Sequence, residues 1–313
     1  MYKVFIDGGE GTTGLRIFDR IKQRDDIILI TLPNEVRKDP DARKKAINES
    51  DVTILCLPDA ASVESVSLVE NPNTVIIDAS TAHRTEKGWT YGFPEIYGQD
   101  GGTLVSTSKR IAVPGCHASG FIALVKPLVD AKIIPTDLKL SVTSLTGYSG
   151  GGKKMIAQYE DQNVSSLLLA PRVYGISQNH KHLKEMKYIC GLEHAPIFTP
   201  IVSNFYSGMC VTVNLFGDDI NGSIEDIKKI YSQLYNGNIV KYYDTIDEGG
   251  FVSSHLLSKC DNMRISVLGN EDRIQLCAVY DNLGKGASGA AVECLNLVTG
   301  KAKEYCLELD SEK

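Results

Sequence analysis

The chain has 313 residues, enough for two domains with cores of their own. Its 42% hydrophobic and 23% charged content is ordinary for a soluble globular protein, and a net charge of -6 with no basic stripe argues against a dedicated nucleic-acid binder. No apolar run reaches the roughly 18 residues that span a membrane. Eight scattered cysteines with no Cys-x-x-Cys pair read as reduced thiols in the cytoplasm.

In chain order, Tyr2 to Ile6 reads as a strand, so no signal peptide is expected. Thr13 to Lys22 reads as a helix burying Leu15, Ile17, Phe18 and Ile21. Strands follow at Ile27 to Leu32, Val52 to Leu57 and Thr74 to Asp78, with helices at Ala42 to Asn48 and Ala60 to Val69 between them. This alternation with continuous apolar strands predicts a parallel, Rossmann-type sheet covered on both faces. A short apolar strand at Ile111 to Val113 then turns through Pro114-Gly115 into a helix from Cys116 to about Lys132, which Pro127 should bend.

Beyond it the pattern changes. Longer strands are expected at Lys139 to Leu145, Ile197 to Ser203, Cys210 to Phe216, Met263 to Leu268 and Ile274 to Tyr280, with helices near Lys153 to Asp161, His182 to Ile189 and Ile224 to Tyr235. That is an α+β domain on a mixed or antiparallel sheet. Lys285 to Val298 reads as a last helix. The expected division is a dinucleotide-binding domain over 1–115 and about 285–313, and a substrate, catalytic and oligomerisation domain over 116–284.

Gly9-x-Gly11-x-x-Gly14, with Thr12 and Thr13 inside it, sits at the first strand-to-helix junction. There glycines permit the tight turn and close backbone approach that seat a pyrophosphate on a helix N-terminus. After the second strand, Glu35 would favour a ribose 2′-hydroxyl, whereas Arg37 and Lys38 would accommodate a 2′-phosphate; the cations tip the expectation to NADP. Cys116 stands at a helix start, where free N–H groups favour thiolate over thiol; the bland alternative is a small buried hydrophobe. Of the six histidines, His180 and His182 are the best proton-transfer partners, and no third ligand accompanies them to suggest zinc. His117 is expected to point away from the thiol, and His83, His194 and His255 read as isolated. Ser149-Gly150-Gly151-Gly152 followed by Lys153 and Lys154 reads as an N–H-rich loop suited to an anion, or as a solvated hinge. Arg84, beyond the fourth strand, could fork onto a carboxylate.

Together with Leu55-Cys56-Leu57-Pro58-Asp59, Asp78-Ala79-Ser80, Tyr91-Gly92-Phe93-Pro94-Glu95, Pro114-Gly115-Cys116, His180-Lys181-His182-Leu183-Lys184-Glu185 and Asp281-Asn282-Leu283-Gly284-Lys285-Gly286-Ala287-Ser288-Gly289, these features resemble the short, type 2 N-acetyl-gamma-glutamyl-phosphate reductases. That family belongs with the aspartate-semialdehyde dehydrogenases in a wider group similar to glyceraldehyde-phosphate dehydrogenase. Long members carry Tyr-Pro-Thr after the cysteine; this chain has His117-Ala118-Ser119, as in the short form.

The resemblance implies Cys116 as nucleophile, with His180 or His182 as acid/base. It adds Pro58, Ser80 and Asn282 to the cofactor contacts, and Arg84, Ser149, Gly150, Lys153 and Lys154 to those of substrate. It implies NADPH-dependent reduction of a small acyl phosphate in arginine biosynthesis by a dimer or tetramer, with no metal, membrane or nucleic-acid partner. Two rival readings are an aspartate-semialdehyde dehydrogenase and a non-catalytic NADP-binding sensor.

Overall fold

The computed structural model describes residues 1–310 as two compact units, one of 1–115 with 287–307 and the other of 116–286 with 308–310. In the first, β1 (Tyr2–Asp7), β2 (Ile27–Ile30), β3 (Val52–Leu55), β4 (Val75–Asp78), β5 (Thr90–Tyr91) and β6 (Arg110–Ala112) lie in the order β2-β1-β3-β4-β6-β5. Every neighbouring pair is parallel. Helices α1 (Thr12–Ile21), α2 (Pro40–Glu49), α3 (Asp59–Ser67) and α4 (Gly101–Ser106) make the crossovers. All four residues of β3 and all four of β4 are buried, as strands covered on both faces must be. Asp39 caps α2 by accepting from Ala42 N at 3.0 Å, and Pro40 takes the first helical position, where its missing N–H costs nothing.

The second unit holds β7 (Ser141–Gly147), β8 (Arg172–Val173), β9 (Ile197–Ser203), β10 (Met209–Phe216), β11 (Val240–Tyr242), β12 (Met263–Gly269) and β13 (Arg273–Tyr280), ordered β11-β12-β13-β10-β7-β9-β8. The sheet is mixed: β7–β9 and β11–β12 are parallel and the other pairs antiparallel. Its helices are α5 (Cys116–Asp130), α6 (Gly152–Tyr159), α7 (His182–Cys190) and α8 (Ile224–Leu234). α5 is buried along most of its length and packs on β10, β13, α7 and α8. A reciprocal Ser223–Asp226 capping box starts α8, and Gly191 in the left-handed region ends α7. The chain re-enters the first unit with α9 (Gly289–Val298), whose Ala290, Ala291, Val292, Cys294 and Leu295 share a core with Val4, Ile17, Ile54 and Ile77.

Several local expectations need correction. The last helix does not run unbroken from Lys285: Gly284–Ser288 forms a wider π-type turn before α9. The Tyr148–Gly151 stretch is a tight 3-10 turn rather than an open loop, and Gly152 at φ 69° joins it to α6. Leu15 is 45% exposed instead of buried. The sequence reading also passed over β5, α4, β8 and β11.

Candidate functional site

In the first unit a cavity of about 780 Å³ opens where the strand order reverses, beyond the carboxyl ends of β1, β2 and β3. Gly8, Gly9 and Gly11 line one side, Cys56, Leu57 and Pro58 another, and Asn34, Arg37 and Lys38 a third. Leu15 and Phe18 face this cavity, so two side chains of the apolar stripe on α1 line a hollow rather than the core. At Gly8 and Gly14 there is no room for a side chain. A Cβ on Gly8 (φ +84°) would lie 2.5 Å from Cys56 O, and one on Gly14 would lie 2.7 Å from Gly8 O. Such a cradle, with apolar walls and cations at the rim, fits a dinucleotide. Thr12 and Thr13 lie in the first turn of α1, directly after it.

Arg37 pairs with Glu10 of the glycine turn, which draws the cation to the cavity. Glu35 is exposed and not among the lining residues. Beneath the turn, the buried Asp7 carboxylate accepts from Arg43 Nε at 3.1 Å and Ser65 Oγ at 2.9 Å, tying α2 and α3 to the end of β1. Cys56 is no nucleophile: burial first, then Asp78 and Asp7, push its thiol up to about 12.

Several side chains expected to meet a ligand are hydrogen-bonded within the protein. Asp78 accepts from Ser80 N at 2.9 Å, Ser80 Oγ at 2.7 Å and Ser62 Oγ at 3.0 Å, and bonds His83 Nδ1 at 2.6 Å. Arg84 is buried and donates to Val113 O at 2.8 Å and Ala79 O at 3.2 Å, locking the segments after β4 and β6. His83 stacks on Trp89 with ring centroids 4.1 Å apart. In the second unit, Asn282 donates to Ser149 Oγ at 3.0 Å and accepts from Gly208 N at 3.0 Å. Lys153 and Lys154 are exposed on the first turn of α6.

Cys116 opens α5 and is partly exposed. Its neighbour His117 is buried, and its ring lies 5.9 Å from His180 and 5.6 Å from His182, centroid to centroid. His180 and His182 are 4.7 Å apart, with Phe198 against His117 and His180. His117 Nδ1 bonds Ser144 Oγ at 2.7 Å and its Nε2 bonds the Tyr174 hydroxyl at 2.5 Å. Burial, then His180, pushes His117 down to about 3, so it is neutral across the physiological range. Burial, then Lys181, also lowers His180. His182 N donates to His180 Nδ1 at 3.3 Å, which makes Nδ1 the acceptor and leaves the proton of the neutral ring on Nε2. Burial and then Cys116 raise the Tyr174 phenol, so it remains protonated.

Sequence reasoning missed His117, Ser144 and Tyr174 as one constellation. They come from α5, β7 and the segment after β8, which only the sheet order unites. Among the described residues there is no His, Cys, Asp and Glu cluster fit for a metal, and no helix long and apolar enough to cross a membrane.

The glycine-turn cavity in one unit and the cysteine-headed helix over a mixed sheet in the other define a semialdehyde dehydrogenase. The model for the NAD binding domain of that family matches residues 26–102, and the model for its dimerisation domain matches 116–282. Aspartate semialdehyde dehydrogenase II of Vibrio cholerae, complexed with ASA, has a similar structure (TM-score 0.70, 16% identity, covering 96% of this chain and 98% of that one). So does the aspartate semialdehyde dehydrogenase of Candida albicans with NADP (TM-score 0.65, 15% identity, covering 97% and 99%). Relatives from Brucella ovis and Brucella canis, both named N-acetyl-gamma-glutamyl-phosphate reductase, are each 43% identical over 309 residues, covering 96% of this chain and 99% of theirs. The chain belongs to the N-acetyl-gamma-glutamyl-phosphate reductase family.

Proposed function

We propose that the protein reduces N-acetyl-L-glutamyl 5-phosphate to the 5-semialdehyde, with release of phosphate, through a thioester on Cys116, as a step of arginine biosynthesis. One observation carries this reading: a partly exposed thiol at the head of α5, whose chain neighbour His117 packs with His180 and His182, in a chain alike over nearly its whole length to reductases so named. The Cys116 thiolate attacks the acyl carbon and expels inorganic phosphate. NADPH, when bound, supplies hydride to the thioester carbon. Backbone N–H groups at the head of α5 hold the oxyanion, and collapse of the thiohemiacetal returns the thiolate.

His180 is the acid/base of this reading. It is more exposed than His182, and its Nε2 carries the proton a carbonyl oxygen needs. His117 and Tyr174 are neutral supports that fix the ring group. Lys153 and Lys154 meet the phosphate and the substrate carboxylate, next to the Ser149–Gly150 turn, while Ser80, Arg84 and Asn282 act by bracing backbone. Arg37 and Lys38 receive a 2′-phosphate, so the dinucleotide is NADP, held by Gly9, Gly11, Gly14 and Pro58. The protein works in the cytoplasm as a dimer or tetramer.

Phosphate-dependent NADP reduction tests this with N-acetyl-glutamate 5-semialdehyde and with aspartate semialdehyde. Turnover with the first and not the second is expected; the reverse would make the enzyme an aspartate-semialdehyde dehydrogenase. Cys116→Ser should lower kcat by at least about 10³-fold, since the alcohol is far less ionised than the thiol. Unchanged activity in that variant would refute the thioester route.

A further inference from the structure

We propose that Tyr280 is a positioning residue for the reaction, which aims the Cys116 side chain by holding the backbone of that residue from outside its own helix. The inference rests on the reading of Cys116 as nucleophile. Tyr280 ends β13 and its side chain is fully buried. Its hydroxyl donates to Cys116 O at 2.5 Å and accepts from Gly120 N at 3.0 Å. Those two groups stand four residues apart and are each other's partners in a regular α-helix. The phenol oxygen therefore bonds both backbone groups of one rung in the first turn of α5.

Gly120 makes this possible. A Cβ there would fall 2.8 Å from the Tyr280 oxygen and 2.7 Å from Val211 Cγ2. On the other side, a Cβ on Gly286 would lie 3.1 Å from Cys116 Cβ, so the backbone of the π-type turn confines the cysteine there. The Cys116 carbonyl and Cβ are thus each set by elements distant in sequence. With its backbone so held, the sulfur is confined to the few directions its single side-chain torsion allows. Burial, and then Cys116, raise the phenol well above its usual range, which keeps the hydroxyl in its donating form. Nucleophilic attack depends steeply on such alignment, with a displacement of about 1 Å able to cost about 100-fold in rate.

Tyr280→Phe keeps the ring in the core and deletes both hydrogen bonds to the start of α5. The expected result is a kcat lower by about 10- to 100-fold with KM for the acyl phosphate within about twofold. In the same variant, the pH profile of Cys116 alkylation by iodoacetamide, read on the isolated peptide by mass spectrometry, should shift. A merely structural tyrosine would lower stability and leave the profile of the folded enzyme in place. Gly120→Ala, which forces the hydroxyl from the same rung, should reproduce the kcat loss, and it decides the matter if Tyr280→Phe does not fold. Wild-type kcat and alkylation in either variant, alongside an inactive Cys116→Ser, would overturn the positioning role alone. An active Cys116→Ser would overturn it together with the thioester reading.

Discussion

Acid should destabilise the second unit through His117. Its ring is buried with both nitrogens bonded, to Ser144 Oγ and to the Tyr174 hydroxyl, and burial brings it from 6.5 down to about 3. Above 6.5 the imidazole is neutral whether the chain is folded or not, so it makes stability no function of pH. As pH falls through 6.5, the unfolded chain takes a proton that the fold refuses, and stability declines by about 1.4 kcal/mol per pH unit until the folded value is reached. Between neutrality and about pH 5 the loss from this one group is about 2 kcal/mol. His117→Asn removes the titration while keeping a polar side chain. At about pH 7.5 the variant should be less stable by about 1–3 kcal/mol, for want of a full partner to Ser144 and Tyr174. Urea unfolding of both proteins at about pH 7.5 and about pH 5 should then show the wild type losing about 2 kcal/mol more than the variant over that interval. Parallel pH dependence in the two proteins, or an NMR signal of protonated His117 near pH 6, would refute the reasoning.

Other substitutions probe the cofactor cavity. Gly14→Ala places a methyl 2.7 Å from Gly8 O and 2.8 Å from Gly9 Cα, both backbone atoms, so the whole turn must move. Thermal melting should show a loss of about 1–3 kcal/mol, and KM for the dinucleotide should rise at least about tenfold. Arg37→Ala should raise KM for NADPH by about 10- to 100-fold and leave that for NADH nearly unchanged, as expected for a charge-assisted contact to a 2′-phosphate. An equal rise for both would place the ribose phosphate elsewhere.

The parallel sheet was legible because buried strands are written as unbroken apolar runs such as Val75–Ile77, and Ile197–Ser203 falls on its sequence-read bounds. Other elements depend on tertiary contacts. α4 begins at Gly101, a poor helix former that is needed because a Cβ there would meet Pro94 O at 1.9 Å. Periodicity placed Leu15 on the apolar face of α1 correctly, but it cannot tell a core from the wall of a cavity. The glycine turn, Cys116 and the His180/His182 pair carry local signals. Polar side chains such as Ser80, Arg84 and Asn282 do not announce whether they face a ligand or brace a backbone. Nor does anything in the sequence show that Tyr280 reaches Cys116 from 164 positions away.

The re-entry of α9 has a bearing on how the protein is made. The core shared by Val4, Ile17 and Ile54 is closed by Ala291, Val292 and Leu295, which leave the ribosome only after residues 116–286 have done so. The sheet begun first is therefore the one that must wait, with apolar strand faces open, while residues 116–286 of the other unit are made. A nascent chain released early, at residue 286, would carry a glycine-turn sheet lacking one wall of its interior and exposed to chaperones and proteases.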